Sequence, residues 1–249
     1  MKKNIFITGG TSDIGKQLVT KFAEKKWNIF FTYNSNFKEA KDISKKLKKN
    51  NIDHYYTKMD LKSSSSIIKA FKLFYSKFKN LNYLINNATI THKRKLFTNI
   101  KNPEIKDDIN GFLVGNIFVI KNAIKLITKK NKIKDKGIIN ISSYASITGG
   151  KNIHLYAASK AAINILLHAL SLDYKKDHLR ICSVLPRYID TKTFRKNNKI
   201  RNNKDLSKFL SKQNVSKIKK PGEFAHFIYK IIQNKNKHNN RSLIYYDKI

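Results

Sequence analysis

The chain has 249 residues, of which 41% are hydrophobic and 11% aromatic, enough for one large α/β domain and too apolar for a disordered chain. Its formal charge of +36, from 52 Lys and Arg against 16 Asp and Glu, would by itself suggest a nucleic-acid or anionic-membrane partner. The basic residues are spread along the whole chain, however, and most are lysines beside abundant Asn and Ile, which is typical of an A/T-rich genome. We therefore expect no specific nucleic acid and no membrane as a partner.

The cysteine content and the N-terminal segment indicate the cellular compartment of the protein. Cys182 is the only cysteine, so no intramolecular disulfide can form and a reducing compartment is expected. The start, MKKNIFITGG, has an apolar run too short for a signal peptide, and no stretch approaches about 18 uninterrupted apolar residues. The sequence thus predicts a soluble, cytoplasmic protein.

Short β-rich runs alternate with longer amphipathic stretches along the chain. We predict strands at 4–8, 28–33, 54–57, 83–86, 137–142, 180–185 and 242–246. We predict helices at 14–26, 37–50, 63–80, 103–131, 156–176 and 221–234. Such alternation favours parallel strands joined by right-handed helical crossovers. We therefore expect one α/β domain over 1–249, with a doubly wound parallel sheet of about seven strands flanked by helices.

The segment 192–220 interrupts this alternation, because it is polar and basic and has no strand pattern. Long loops in compact domains are usually functional or disordered, so we expect a substrate-binding loop here. Its basic residues would face a phosphorylated or carrier-bound substrate, although compositional bias explains them equally well. They are Lys192, Arg195, Lys196, Lys199 and Arg201.

The first predicted strand runs directly into TGGTSDIG, residues 8–15, and a helix follows. A glycine-rich turn between a strand and a helix lets backbone N–H groups approach a pyrophosphate at the helix N-terminus. Asp13 stands inside this turn, where an aspartate tolerates a left-handed backbone and can cap the helix. The segment predicts a dinucleotide site.

The end of the second strand indicates which dinucleotide is bound. Enzymes that prefer NAD carry an acid there for the ribose hydroxyls, whereas this strand ends FTYNSNFKE, with its first acid at Glu39. An ordinary polar turn is the alternative, but the residues present would tolerate or attract a 2′-phosphate, so we predict NADP(H) over NAD(H). These residues are Tyr33, Asn34, Ser35 and Lys38, with Lys16 nearby.

The segment YAASK places Tyr156 and Lys160 one helical turn apart. A tyrosine with a pKa of about 10 is a poor base at neutral pH, and a neighbouring ammonium would stabilise the phenolate. With a cationic nicotinamide adding to the field, we expect that pKa to fall by ~2–3 units. The same Tyr-x-x-x-Lys spacing recurs at 75–79 and 188–192, so the spacing alone does not identify a catalytic pair.

Several motifs, in order along the chain, resemble those of the short-chain dehydrogenase/reductase family. The turn at 8–15 resembles the family's TGxxxGxG, with Asp13 for its middle glycine. NNA, residues 86–88, resembles NNAG, with Thr89 for the glycine, and PRYIDT after the sixth strand resembles PGxxxT, with Arg187 for the glycine. Each motif follows a predicted strand, so the resemblance covers nearly the whole chain.

The family's catalytic serine distinguishes among the three Tyr-x-x-x-Lys copies. INISS ends the fifth strand and places Ser143 13 residues before Tyr156, which is the family's usual interval. The other two copies have Lys62 and Lys175 at that offset, so YAASK is identified as the catalytic pair.

The resemblance implies a Rossmann-type fold and hydride transfer between a nicotinamide and a substrate carbon. Tyr156 would exchange a proton with the substrate oxygen, Ser143 would hydrogen-bond that oxygen, and Lys160 would hold the nicotinamide ribose. No metal site is expected. The implied cofactor-binding residues are Thr8, Gly9, Ser12, Asp13, Ile14, Gly15, Tyr33, Asn34, Ser35, Asp60, Leu61, Asn87, Ala88, Tyr156, Lys160, Pro186, Ile189 and Thr191.

One family residue is not matched, an asparagine in the long helix before the fifth strand. Alignment of this helix places Leu113, or less well Phe112, at that position, while Asn110 and Asn116 lie about one turn off register. Either the helix is locally shifted, or a proton relay through water is weakened or absent.

The leading hypothesis is an NADP(H)-dependent oxidoreductase acting on a carbonyl or alcohol. The resemblance includes 3-oxoacyl carrier-protein reductases and pteridine reductases as candidate types. The alternative is a catalytically impaired nucleotide-binding regulatory protein of the same fold. Family members commonly form tetramers, and the apolar run AAINILLHALSL, 161–172, is consistent with a homotetramer or dimer. A helix buried inside a monomer would show the same run.

Overall fold

Seven parallel strands form one sheet in the order β3-β2-β1-β4-β5-β6-β7. The computed structural model describes residues 2–91, 94–129, 133–234 and 243–246. The strands are β1 Asn4–Ile7, β2 Asn28–Tyr33, β3 His54–Lys58, β4 Tyr83–Asn86, β5 Gly137–Ile141, β6 Arg180–Leu185 and β7 Leu243–Tyr245. The doubly wound parallel sheet predicted from the alternation is confirmed; Ser242, at the start of the last predicted strand, lies outside the described residues.

Helices cover both faces of the sheet, because side chains of successive strand residues point to opposite faces. Ile5 and Ile7 of β1 pack in one buried cluster with Phe22 of α1 and Phe224 of α10, whereas Phe6 packs in the other. Two short 3₁₀ turns, Phe97–Asn99 and Lys175–Asp177, complete the described helical structure. The α-helices are α1 Asp13–Glu24, α2 Phe37–Lys49, α3 Ser64–Phe78, α4 Asn102–Ile109, α5 Gly115–Thr128, α6 Ala145–Thr148, α7 His154–Asp173, α8 Lys192–Asn197, α9 Asn203–Lys212 and α10 Pro221–Gln233.

Two helical segments, Asn102–Thr128 and His154–Asp173, are long and apolar enough to cross a membrane by length and composition. Both place large apolar side chains in the core beside the sheet: Val119 and Ile120 from the first, Leu167 from the second. Helices that cover a sheet inside a protein core have this composition, so these segments are weak indicators of a membrane span.

The segment 192–220 was expected to be a loop, and that expectation is wrong for most of its length, because α8 and α9 lie within it. Each helix begins at a side chain that accepts a hydrogen bond from the first turn: Thr191 Oγ1 from the Phe194 N–H (3.0 Å) and Asn202 Oδ1 from the Asp205 N–H (2.9 Å). Such N-caps satisfy backbone donors that a helix start would otherwise leave unpaired.

The helix predicted at 103–131 is divided by a π-helical turn at Asn110–Val114, between α4 and α5. Gly115 lies against the backbone of the loop that follows β3, since an added Cβ would come within 2.0 Å of the Leu61 carbonyl oxygen. The Asn116 side-chain amide donates to the Phe112 carbonyl oxygen (2.8 Å) within this turn. The helix is therefore locally shifted, which is one of the two alternatives that the unmatched asparagine left open. Residues 130 and 131 of the predicted helix lie outside the described residues.

Candidate active site

Two adjoining cavities of about 440 and 860 Å³ lie at the carboxyl ends of the strands. Ser143, after β5, and Tyr156, on α7, line both cavities. In doubly wound sheets, ligands bind in the crevice beyond these strand ends, where the strand order reverses. Here the order reverses between β1 and β4. We call the smaller one the first cavity and the larger one the second cavity.

The glycine turn holds its shape through Gly9, Gly15 and Asn87. Gly9 has a φ of +66°, and a Cβ on Gly15 would lie 2.1 Å from the Gly9 carbonyl oxygen, so only glycine fits at position 15. The Asn87 side-chain amide donates to the carbonyl oxygens of Thr8 (2.9 Å) and Gly9 (3.1 Å). The first turn of α1, at Asp13 and Ile14, therefore faces the first cavity with its positive dipole end.

Asp13, Thr89 and Arg187 replace glycines of the family motifs, and none of the three has a left-handed backbone. The expectation that Asp13 uses a left-handed conformation or caps its own helix is therefore wrong. Ser12 is the N-cap of α1, with its Oγ accepting from the Gly15 N–H (3.0 Å). Asp13 instead accepts from the Lys192 N–H at the start of α8 (2.6 Å). An ordinary backbone explains why side chains are tolerated at these positions.

The end of β2 forms one end of the first cavity, which Tyr33, Asn34 and Ser35 line as predicted. Asp13 is the single carboxylate among the described lining residues. Lys16, expected to attract a 2′-phosphate, has its Nζ 3.3 Å from Glu39 Oε1, so its charge is shared with that carboxylate. Lys38 is exposed.

Three of the predicted cofactor-binding residues do not line the first cavity. Thr8 is buried beneath the turn, where its Oγ1 accepts from the Asn87 and Ala88 N–H groups (2.9 Å each). Gly15 packs on Gly9, and Asp60 Oδ1 accepts from the Lys62 N–H (2.9 Å) within its own turn. The predicted residues that do line it are Gly9, Ser12, Asp13, Ile14, Tyr33, Asn34, Ser35, Leu61, Asn87, Ala88, Tyr156, Lys160, Pro186, Ile189 and Thr191.

The predicted catalytic residues come together where the cavities meet. The Ser143 and Tyr156 hydroxyls are hydrogen-bonded to each other. The Lys160 ammonium lies 5.9 Å from the centroid of the Tyr156 ring and donates to the Ile141 carbonyl oxygen (2.7 Å). The arrangement joins a hydrogen-bond donor, a proton carrier and a buried cation at one place.

The environment moves the pKa values of this pair in opposite directions. Burial lowers the pKa of Lys160 to about 8, because the interior disfavours the ammonium. Desolvation raises the pKa of Tyr156, and this effect exceeds the lowering by the Ser143 hydrogen bond and the Arg94 charge. In the protein without cofactor the pKa of Tyr156 is raised, because Lys160 donates to a carbonyl and desolvation dominates. The lowering expected with a bound cationic nicotinamide stays a prediction.

Phe112, one of the two residues that alignment offered for the unmatched asparagine, contacts Tyr156. The two rings meet edge to face, with centroids 5.5 Å apart and planes at 76°. Both asparagines near the π-turn point elsewhere: Asn110 donates to the Lys62 carbonyl oxygen, and Asn116 accepts from the Asn86 side chain (2.9 Å).

A buried polar network under the site was not predicted. The Asn86 side chain donates to Asn116 Oδ1 and to Asn140 Oδ1 (2.9 Å each), and the Asn140 side chain donates to Ser183 Oγ (3.1 Å). These contacts link β4, β5 and β6 near their carboxyl ends. The sequence signal for this network was the presence of asparagines inside strand runs that are otherwise apolar.

The first cavity fits a nicotinamide dinucleotide. Its lining residues follow the ends of β2, β1, β4, β5 and β6, and five neighbouring strands span roughly 19 Å at about 4.8 Å per spacing. The buried Ser142 Oγ, which has no hydrogen-bond partner among the described residues, lines this cavity and would find one in a polar ligand.

Apart from Ser12, Ser143 and Tyr156, the described residues that line the second cavity were not assigned to a site from the sequence. Its walls include Arg94 from the segment after β4 and Tyr188, Phe194 and Phe209 from the segment around α8 and α9. None of the five basic residues expected to face a substrate, Lys192, Arg195, Lys196, Lys199 and Arg201, is among the described lining residues. Arg195 instead pairs with Asp190 (2.6 Å).

Sequence comparisons place this chain beside known oxidoreductases. The family described as short chain dehydrogenase matches residues 3–202. The chain is 28% identical over 217 residues to the 3-oxoacyl-[acyl-carrier-protein] reductase FabG of Buchnera aphidicola, covering 87% of this chain and 82% of that protein. It is 25% identical over 186 residues to the uncharacterized oxidoreductase YgfF of Escherichia coli, covering 74% and 75%.

Solved structures share the fold at lower sequence identity. Levodione reductase superposes with a TM-score of 0.88 at 17% identity, covering 98% of this chain and 96% of that one. A short chain dehydrogenase from Burkholderia cenocepacia, in complex with NADP, superposes with a TM-score of 0.85 at 18% identity and the same coverage.

Proposed function

Since this chain belongs to the short-chain dehydrogenase family of oxidoreductases, we propose that it is an NADP(H)-dependent reductase of carbonyl compounds, which oxidises the corresponding alcohol in reverse. The observation that carries the proposal is the hydrogen-bonded pair Ser143–Tyr156 at the junction of the two cavities, with Lys160 behind it. A dinucleotide in the first cavity and a substrate in the second would meet at this pair.

The chain's own residues have distinct roles in the proposed reaction. The bound nicotinamide supplies or accepts the hydride. Ser143 donates a hydrogen bond to the substrate oxygen and orients it. Tyr156 gives its proton to that oxygen during reduction, and the raised pKa keeps the phenol protonated at neutral pH. The Lys160 ammonium stabilises the phenolate that this transfer leaves behind.

The preference for NADP(H) is supported by the end of β2. Tyr33, Asn34 and Ser35 line the first cavity there, so no carboxylate at these positions opposes a 2′-phosphate. The Lys16–Glu39 pair is partly exposed to solvent, and such pairs contribute little free energy, so a phosphate would compete with Glu39 for the Lys16 ammonium. The NADP complex of a distant structural relative and the similarity to 3-oxoacyl-[acyl-carrier-protein] reductases are consistent with this choice.

We further propose one domain over 1–249, with 192–220 over the substrate cavity, in a soluble cytoplasmic homotetramer or dimer. Phe194 and Phe209 from that segment line the second cavity. Ile165 and Leu172 on α7 are 70% and 62% exposed, and apolar side chains at that exposure are suited to an interface with a second copy.

The test is steady-state oxidation of NADPH with a panel of aldehydes, ketones and 3-oxoacyl thioesters. Tyr156→Phe should lower turnover by about 10²-fold or more with nearly unchanged NADPH affinity, because general acid catalysis typically contributes ~10²–10⁴. Tyr75→Phe is the matched control: Tyr75 belongs to another Tyr-x-x-x-Lys copy, on α3, with Lys79 5.3 Å from its ring centroid. It should keep wild-type turnover.

Two outcomes would contradict the proposal. Equal turnover of Tyr156→Phe and the wild type would remove Tyr156 from the mechanism. NADPH binding without turnover of any carbonyl compound would favour the alternative, a nucleotide-binding regulatory protein that has lost activity.

A further inference from the structure

Arg94 lines the second cavity beside the C-terminal end of α8. It follows β4 in sequence and lines the second cavity, but it is not among the described residues that line the first. Its charge lowers the pKa of the Tyr156 phenol, so the guanidinium acts on the group that would transfer the proton. A cation at this place is therefore available to a substrate rather than to the cofactor.

The hydrogen-bond partner of Arg94 is a neutral amide. Arg94 Nη1 donates to Asn198 Oδ1 (3.2 Å), just beyond α8, and no described carboxylate lies within 4.0 Å of the guanidinium. Arginine is the side chain best suited to bind carboxylate or phosphate oxygens through two parallel N–H groups. An anion would form a stronger contact here than the amide does.

A second arginine lines the same cavity. The guanidinium of Arg187 lies 5.8 Å from the Tyr144 ring and 5.5 Å from the Tyr188 ring, and it donates to the Gln213 carbonyl oxygen (3.1 Å). These contacts hold the guanidinium half-buried at the cavity wall. No Asp or Glu is among the described residues that line the second cavity.

Compositional bias explains the many lysines of this chain, but not the position of these two arginines. Only six of the 52 basic residues are arginines, and two of them line the second cavity. Lys151 and Lys212 also line this cavity, so two of the four basic residues in its described lining are arginines, against six of 52 in the whole chain.

One part of the wall is aromatic. Tyr188, Phe194 and Phe209 pack against one another edge to face or tilted, with centroids 5.3–5.8 Å apart, and all three line the second cavity. An aromatic wall favours an apolar or ring-shaped substrate body.

We propose that the second cavity binds a carbonyl compound with an apolar body and an anionic oxygen group, carboxylate or phosphate, held by Arg94 with Arg187. The inference rests on the proposed function, since it specifies the substrate class of the same site. It differs from the expectation that basic residues of 192–220 face the substrate, because Arg94 lies outside that segment.

The experiment compares 4-formylbenzoate with 4-formylbenzamide, which differ in charge but hardly in shape, as substrates with NADPH. We expect kcat/KM for the carboxylate to exceed that for the amide by about 10-fold or more. Arg94→Gln should remove that preference, lowering kcat/KM for the carboxylate by about 10-fold more than kcat/KM for the amide. Arg201→Gln removes the same charge from a residue outside the lining of both cavities, so it should keep the preference.

A second pair, 4-formylphenyl phosphate and 4-hydroxybenzaldehyde, distinguishes phosphate from carboxylate recognition. Binding of all four compounds to the protein with NADP⁺ is also measured by calorimetry. Equal binding of charged and neutral partners, or a loss of preference in Arg201→Gln as large as in Arg94→Gln, would overturn the inference. Binding that depends on Arg94 without any NADPH oxidation would overturn the proposed function and leave the anion site intact.

Discussion

The Asp13 carboxylate accepts a hydrogen bond from the Lys192 N–H at 2.6 Å, which ties the glycine turn to the first residue of α8 across 179 positions of sequence. One side chain thus joins the part of the first cavity where a pyrophosphate would bind to the segment that walls the second cavity. The contact also places a negative charge near the expected phosphates.

Asp13→Asn should keep the hydrogen bond to Lys192 and remove the charge. We expect the dissociation constant for NADPH to fall by about 2- to 10-fold, since a like charge at this range costs on the order of 1 kcal/mol. Asp13→Ala removes the bond as well, so amides of 192–197 should exchange hydrogen faster than in Asp13→Asn. Calorimetry and hydrogen exchange measure the two effects; weaker NADPH binding by Asp13→Asn would contradict the charge argument.

Gly15→Ala should abolish cofactor binding or folding, because its Cβ would lie 2.1 Å from the Gly9 carbonyl oxygen. Gly222, in the first turn of α10, is the matched control: the nearest atom to its added Cβ, Gln17 Oε1, is 3.5 Å away. Gly222→Ala should raise the free energy of unfolding by about 0.5–1 kcal/mol. Urea unfolding measures the stability of both variants, and NADPH titration measures their cofactor affinity. Wild-type NADPH affinity in Gly15→Ala would contradict the packing of the turn.

Lys160→Met should stabilise the protein without cofactor at pH 7 while abolishing turnover. The folded-state pKa of Lys160 is about 8, below its ordinary value of 10.5. Between these values the unfolded chain binds more protons, so stability rises with pH there, and below about pH 8 the full cost of the buried charge is present. Removing it should add up to about 3 kcal/mol at pH 7 and little near pH 10.5.

Urea unfolding at both pH values measures this difference. The control is Lys125→Met, an exposed lysine on α5, which should show no such dependence on pH. Destabilisation of Lys160→Met at pH 7 would show that the bond to the Ile141 carbonyl outweighs desolvation.

The rate of carbonyl reduction should be flat from about pH 6 to 7.5 and should fall above pH 8. The raised pKa of Tyr156 keeps its phenol protonated over this range, whereas Lys160, with a pKa of about 8, loses the charge that stabilises the phenolate. Alcohol oxidation needs the deprotonated phenol and should rise with pH. Profiles of kcat/KM in both directions provide the measurement, and a reduction rate that climbs toward pH 9 would contradict these roles.

Ser35→Asp should reverse the cofactor preference. We expect the wild type to prefer NADPH over NADH by about 10-fold or more in kcat/KM, since a charge-assisted contact contributes ~1.5–3 kcal/mol. A carboxylate at position 35, which lines the first cavity, would repel the 2′-phosphate and bind ribose hydroxyls. Ser65→Asp, an exposed position on α3, adds the same charge elsewhere and should keep the preference. Equal use of both cofactors by the wild type would show that β2 does not select between them.

The sequence by itself determined the strands and the longer helices, because these depend on short-range patterns, and it identified the candidate catalytic residues. It missed α6, α8 and α9. Strand and helix periodicities are local, so all seven strands were predicted to within one residue at each described end. Tyr156 and Lys160 were predicted from their spacing of one helical turn, which a regular helix keeps in space. Ser143 was predicted from the interval that the family resemblance implies.

Only the tertiary structure decided which side chains meet. The π-turn at Asn110–Val114 shifts the helix register and brings Phe112, rather than an asparagine, against Tyr156. The bond from Asp13 to Lys192 joins residues too far apart in sequence for a local pattern to connect. The pKa of Tyr156 rises because desolvation sums over every surrounding element, while the sequence shows only the one lysine a helical turn away.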